Sequence, residues 1–159
     1  MPRRPRIVEK NAYYHIITRG NQKQPVFKEA GDLQKYLAIL SKYKKEYKFR
    51  LYCFCLMPNH IHLVMGINKP PLLSKIMKCL NLSYTLYFNS KYDKVGHLWQ
   101  DRFKSKIIDG DRYLLECISY IESNPVRASL TQTIEEYPWS SHNFRKTNSA
   151  ILDNLFSLE

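Results

Sequence analysis

The stretch LYCFCLMPNHIHLVMGI, residues 51–67, decides the fold. Residues 51–57 are apolar on both alternations, the pattern of a central strand covered on both faces. Pro58-Asn59 breaks the run and sets a tight turn. From His60 the pattern alternates: Ile61, Leu63, Met65 and Ile67 point one way, His60, His62, Val64 and Gly66 the other. The segment therefore reads as a β-hairpin whose second strand turns an apolar side to a core and two imidazoles away from it. Residues two apart on a strand share a face at about 7 Å between Cα atoms, so both rings can converge on one ion. On a helix the same spacing would turn them about 200° apart.

Working outward, residues 13–18 are β-branched and aromatic and end at Arg19-Gly20-Asn21, a strand followed by a turn. Residues 32–47 carry Leu33, Tyr36, Leu37, Leu40 and Tyr43 at helical spacing. After Pro70-Pro71, residues 72–88 repeat that pattern with Leu73, Ile76, Met77, Leu80 and Tyr84. Residues 102–108 alternate basic side chains with Phe103 and Ile107, a strand that enters a turn at Asp109-Gly110-Asp111. Asp111 is then the expected N-cap of a third helix over residues 112–123, because Asn124 precedes Pro125 and avoids the helical region. The order strand, helix, strand, strand, helix, strand is the split βαβ of a ferredoxin-like α+β fold. It predicts an antiparallel sheet of four or five strands with helices packed on one face and the other face left for substrate. Tyr137-Pro138-Trp139-Ser140-Ser141 reads as a helix start or packed turn without an assigned role.

No repeat or linker divides the chain, so residues 1–159 read as one domain, with a motif-bearing core of about residues 8–145, a basic N-terminal arm and a C-terminal tail. Hydrophobic residues at 44% exclude a disordered tail, and no run approaches the ~18 apolar residues of a membrane span. The basic start lacks the apolar stretch of a signal peptide, which predicts a cytoplasmic protein. Twenty-five Lys and Arg against 14 Asp and Glu leave a formal +11, and 12 Tyr, 7 Phe and 2 Trp accompany it. That combination suits a nucleic-acid strand, which offers phosphates to the cations and stackable bases to the rings. Cys53, Cys55, Cys79 and Cys117 lie in apolar segments and read as reduced, packed thiols. A zinc site built from Cys53, Cys55, His60 and His62 is disfavoured, since structural zinc sites space their cysteines more widely.

Tyr120 and Asn124 form a second constellation. Four residues apart, they share one side of the third helix, flanking its buried stripe of Leu114, Ile118 and Ile121. With the histidine pair they suggest phosphoryl transfer, in which a phenolate attacks in line while a divalent cation polarises the phosphate. Phenols ionise near about pH 10, so positive charge near such a nucleophile must favour the phenolate. Two imidazoles and an amide carbonyl leave coordination positions open for phosphate and water, as Mg²⁺ or Mn²⁺ prefers.

Four ordered motifs resemble the HUH-type single-tyrosine transposases, most closely their REP-associated branch. They are Tyr14-His15-Ile16 with Thr18-Arg19-Gly20-Asn21 and Phe27; residues 57–63 around His60 and His62; Gly96-His97-Leu98-Trp99-Gln100 with Arg102-Phe103-Lys104; and residues 120–128 from Tyr120 to Ala128. The resemblance implies that Tyr120 is the nucleophile and that His60, His62 and Asn124 hold the cation. It implies cleavage and rejoining of single-stranded DNA at hairpin-forming palindromic repeats through a 5′-phosphotyrosine. It also admits either a monomer, as in REP-associated members, or a homodimer that supplies the tyrosine in trans. Arg19, Asn21, Arg102 and Lys104, in or beside the motifs, are candidate DNA contacts. Arg3, Arg4 and Arg6 offer an arm along DNA, with an unstructured terminus as the alternative.

Three competing readings belong beside this one. Tyr113 shares the face of Tyr120 but sits too early for Asn124 to complete its site. His15 and His97 read as packed or solvated before they read as phosphate contacts. A non-catalytic single-stranded nucleic-acid binder would use the same sheet for base stacking, against which stand intact His60, His62, Tyr120 and Asn124.

Overall fold

The computed structural model describes residues 12–69, 71–147 and 149–155. Four strands, β1 (Ala12–Arg19), β2 (Arg50–Met57), β3 (His60–Ile67) and β4 (Lys104–Ile108), form one sheet in the order β2-β3-β1-β4. Every neighbouring pair is antiparallel, the arrangement of a split βαβ fold. Helices α1 (Ala30–Tyr47) and α2 (Leu72–Tyr92) make the two crossovers. Among the described residues no helix is long and apolar enough to cross a membrane.

Alternation does what it predicts. Tyr14 and Ile16 of β1, Leu51, Phe54 and Leu56 of β2, and Ile61, Leu63 and Met65 of β3 are fully buried against Tyr36 and Leu40 of α1 and Ile76, Met77, Leu80 and Tyr84 of α2. The start of α1 is tied to the end of α2 by a buried carboxylate. Asp32 accepts hydrogen bonds from the Lys28 and Glu29 amides, from the Tyr87 and Tyr92 hydroxyls and from Lys91. Burial alone would raise its pKa, but these donors, Lys91 and Tyr92 foremost, hold it down at about 2. Serving Asp32 explains why α2 continues a turn past the expected residue 88, to a left-handed Asp93.

The helices do not all share one face. α1 and α2 take the expected side, while α3 (Asp111–Glu122) lies on the opposite one. Its Leu114, Ile118 and Ile121 pack on Cys53, Cys55 and Val64, with Ile108 of β4 at the margin. The cause is the doubly apolar β2, which needs cover on both sides, sharpened by a register shift between Leu51 and Cys53 that places both Tyr52 and Cys53 in this second core. The remaining open half of the face, over β1 and β4, is what is left for a ligand. α3 starts after Gly110 (φ 87°), so Asp111 is its first residue and not its N-cap.

β2 is an edge strand by pairing, yet its outer side is closed by the segment after residue 136. The Leu56 amide donates to Trp139 O (2.9 Å), Phe54 N to Ser141 Oγ (3.1 Å) and Leu51 N to Asp153 Oδ2 (2.9 Å). Asp153 N and the Arg145 guanidinium return bonds to the Leu51 and Tyr52 carbonyls. The expected packed turn at residues 137–141 is thus a strap leading into α5 (Ser141–Lys146), with α4 (Asn124–Arg127) a single turn after α3.

Gly20 marks a close approach: its amide bonds Asn59 O at 2.8 Å, and a Cβ there would stand 2.4 Å from Gln24 O and 2.9 Å from Val26 Cγ1. Gly20→Ala should therefore cost about 1–3 kcal/mol. That corresponds to a fall of roughly 3–10 °C in melting temperature for a chain of this size. Thermal unfolding followed by circular dichroism checks it, and an unchanged midpoint would contradict the close approach.

Candidate active site

Antiparallel pairing sets Arg19 opposite His60 and Ile17 opposite His62. Both imidazoles project between the open half of the sheet and α3, with ring centroids 5.0 Å apart and planes at 79°. The Asn59 side-chain oxygen sits 2.7 Å from His60 Nδ1. That acceptor requires the proton on Nδ1 and leaves Nε2 as a bare lone pair. Nε2 faces the Asn124 amide at 3.3 Å. Nδ1 of His62 lies 3.0 Å from Nε2 of His15, and the two rings stack at 5.2 Å.

The electrostatics keep these rings neutral. Burial, followed by the charge of Arg19, lowers the pKa of His60 to about 4. Burial, then His60, His15, Arg19 and Arg127, lowers His62 to about 3, and burial and Lys106 lower His15. Neutral imidazoles are the form that ligates metals.

α3 brings the other half. Its stripe of Leu114, Ile118 and Ile121 is buried as expected, which leaves Tyr120 on the flank, 57% exposed and lining the cleft. Residue 123 keeps helical angles after α3 ends, so the turn Asn124–Arg127 carries Asn124 forward to His60. The C-terminal end of α3 is anchored by Glu122, only 6% exposed, whose Oε2 accepts from Ser141 and from Arg145. A carboxylate at a helix C-terminus opposes the helix dipole, and the Arg145 guanidinium offsets it. The guanidinium of Arg127 stacks on the Tyr120 ring, 3.8 Å from its centroid.

The cleft has a volume of about 1220 Å³. Its floor presents His15, Ile17, Arg19, Lys104 and Lys106, and its wall Tyr113, Glu116, Cys117 and Tyr120. It gathers six of the residues singled out in the sequence: His60, His62, Tyr120, Asn124, Arg19 and Lys104. Asn21 is not among them. It lines a separate polar groove with Gln22, Gln24 and His97. Arg102 is exposed ahead of β4 and outside the cleft lining. Arg3, Arg4 and Arg6 fall outside the described residues. Sequence reasoning missed Lys106, which the alternation of β4 puts beside Lys104 in the cleft, and Arg127, which lies outside the lining but against the Tyr120 ring. Tyr113 lines the cleft at 62% exposure.

Among the described residues no group of three His, Cys, Asp or Glu is placed to hold a metal. The Cys53, Cys55, His60 and His62 of the zinc alternative are accordingly not gathered as a ligand set, and burial and then Glu122 push Cys55 up to about 12, with burial raising Cys53 as well. A set of two neutral imidazoles and one amide does fit a divalent cation. His60 Nε2 is freed by its bond to Asn59, and a half-turn of the Asn124 amide would bring its oxygen to face that nitrogen.

A ferredoxin-like sheet with a His-x-His strand, faced across a basic cleft by a tyrosine and an amide four residues apart, defines the class of site. Residues 8–124 match the family model described as "Transposase IS200 like", and the chain belongs to that family. A Haemophilus influenzae protein described as a REP-associated tyrosine transposase is 31% identical over 116 residues, 64% of this chain and 65% of that protein. The match thus spans slightly less than two thirds of that relative's length. A solved structure of a REP-associated tyrosine transposase bound to a REP hairpin superposes with a TM-score of 0.75 at 16% identity, covering 100% of this chain and 93% of that one. At that identity the likeness bears on the fold.

The depressed histidines set a pH dependence of stability. In the unfolded chain they bind protons below about pH 6.5, whereas folded His60 and His62 do so only near about 4 and 3. Between those limits the unfolded state holds more protons, so stability falls as pH drops through that window. Melting temperature measured in chelator from pH 7 to 4 should decline less steeply in a His60→Gln/His62→Gln double variant. Equal slopes would mean that the rings are not held neutral.

Proposed function

We propose that this protein cleaves and rejoins single-stranded DNA beside hairpin-forming palindromic repeats, with Tyr120 as the nucleophile. The observation that carries the reading is the approach of Asn124 to His60 Nε2, four residues from an exposed Tyr120, at one wall of a basic cleft.

In the proposed reaction the Tyr120 hydroxyl oxygen bonds to phosphorus and its proton passes to solvent. The P–O3′ bond breaks and the 3′ oxygen takes a proton to leave as a 3′-hydroxyl. The 5′ phosphate remains on the tyrosine as a phosphodiester, and attack by a 3′-hydroxyl reverses the bond changes and rejoins a strand. Arg19, Lys104 and Lys106 would carry the DNA backbone along the floor of the cleft. Tyr113, exposed on the wall, offers a ring on which a base can stack. His60, His62 and Asn124 would hold Mg²⁺ or Mn²⁺, which when bound would polarise the scissile phosphate and stabilise the departing oxygen. Because Asn124 reaches His60 within one chain, the geometry supports Tyr120 acting on the site of its own chain.

Incubation with a hairpin-bearing single strand and Mg²⁺ or Mn²⁺ should give a covalent protein–DNA adduct resistant to denaturant. Tyr120→Phe should abolish the adduct, a drop on the order of 10³-fold or more, while DNA binding persists. An adduct that survives in Tyr120→Phe sinks the nucleophile assignment. His60→Ala should weaken Mn²⁺ binding by about tenfold or more in calorimetry, and cleavage that continues unchanged in chelator sinks the metal role.

A further inference from the structure

We infer that Arg127 orients the Tyr120 ring and takes an oxygen of the scissile phosphate, an assignment that rests on the cleavage reading above. Tyr120 is more than half exposed, so the protein core does not fix its ring. A stacked guanidinium does. Its carbon stands 3.8 Å from the ring centroid, well inside the range of about 6 Å for a cation over an aromatic face.

The guanidinium is itself tethered. One nitrogen donates to Ser123 Oγ, and that hydroxyl donates to the Tyr120 carbonyl at 2.9 Å. The other terminal nitrogen is 3.5 Å from Asn124 Oδ1, at the long end of hydrogen bonding. Arg127 thus touches the ring of Tyr120, the linker residue Ser123 and the amide that approaches His60. It does so from a one-turn helix that Pro125 stiffens.

A guanidinium has five N–H donors in a planar fork suited to phosphate oxygens, and the tether engages only some of them. Arg127 is exposed, so the remaining donors are accessible. Arg19, Lys104 and Lys106 lie on the sheet side of the cleft. Arg127 is a cation on the side from which Tyr120 would attack. As the phenol oxygen approaches phosphorus, charge builds on the non-bridging oxygens, and a donor already in place there stabilises the transition state without reorganising. A lysine keeps the charge but neither the flat face nor the fork.

The test compares single-turnover adduct formation by wild type, Arg127→Lys and Arg127→Ala on a hairpin-bearing single strand with Mn²⁺. At saturating DNA, Arg127→Ala should react about 100-fold more slowly, with half-saturating DNA changed by less than about threefold. Arg127→Lys should recover only a minor part of that loss. Added guanidinium chloride at millimolar levels, below any effect on melting temperature, should accelerate Arg127→Ala several-fold and leave Arg127→Lys unchanged. Mn²⁺ binding should match wild type in both variants. An undiminished rate in Arg127→Ala, a loss that lies wholly in half-saturating DNA, or no response to guanidinium would overturn the assignment. A wild type that forms no adduct would overturn the cleavage reading itself, a result distinct from any of these.

Discussion

The register of β3 is the constraint on which the rest depends. Side chains alternate with a period of two, so a slip of one residue would drive His60 and His62 into the core and turn Ile61, Leu63 and Met65 out to the cleft. β3 lies between β2 and β1 and is held in step from both sides, with Ile61 opposite Leu56 on one and Thr18 on the other. Burying three large apolar side chains outweighs any competing register, at roughly 1.5–3 kcal/mol each. The imidazoles are thus aimed by the residues between them. Arg19 beside His60, and His15 within reach of His62, follow from the same pairing, because β1 alternates in phase with β3.

What was legible in the sequence tracks what is local. Strand alternation and helical stripes are properties of short windows, and β1, β3, α1 and the buried stripe of α3 follow from them. The final turn of α2 does not, because Tyr87, Lys91 and Tyr92 are there for Asp32, about 60 positions away. The second core was latent in residues 51–57, whose double apolarity already demanded a cover on each face; that demand is at odds with a single helical layer. Asn124 could be placed beside Tyr120 by spacing. Arg127 could not, because its side chain folds back from a separate turn onto a ring seven positions earlier. Asn21 shares a motif with Arg19, yet Gln22 and Lys23 both take left-handed angles and carry that segment into another groove.

The site is divided between two supports of different kind. The imidazoles stand on a sheet locked by backbone pairing along eight matched positions of β1 and β3. Asn124 stands on a single turn after Tyr120, which sits at the end of a twelve-residue helix that touches the sheet through three principal apolar side chains. Such a helix is free to slide or tilt by fractions of an ångström unless its end is fixed. Glu122, between the tyrosine and the amide in sequence, supplies that fixing point through Ser141 and Arg145. The geometry that faces Asn124 to His60 is therefore set as much by α5 as by α3.

The strap that closes β2 has a consequence for how the chain is made. Leu51 meets Asp153 across 102 positions, and the partners of Glu122 follow it by 19 and 23. In vectorial synthesis the four strands and both crossover helices emerge first and can pair, with the outer amides of β2 still bare. The helix that carries Tyr120 then waits, docked but unanchored, for residues that leave the ribosome after it. The imidazole pair is made before Tyr120 and before the residues that fix its helix, so the two halves of the site come into alignment only when translation has passed α5.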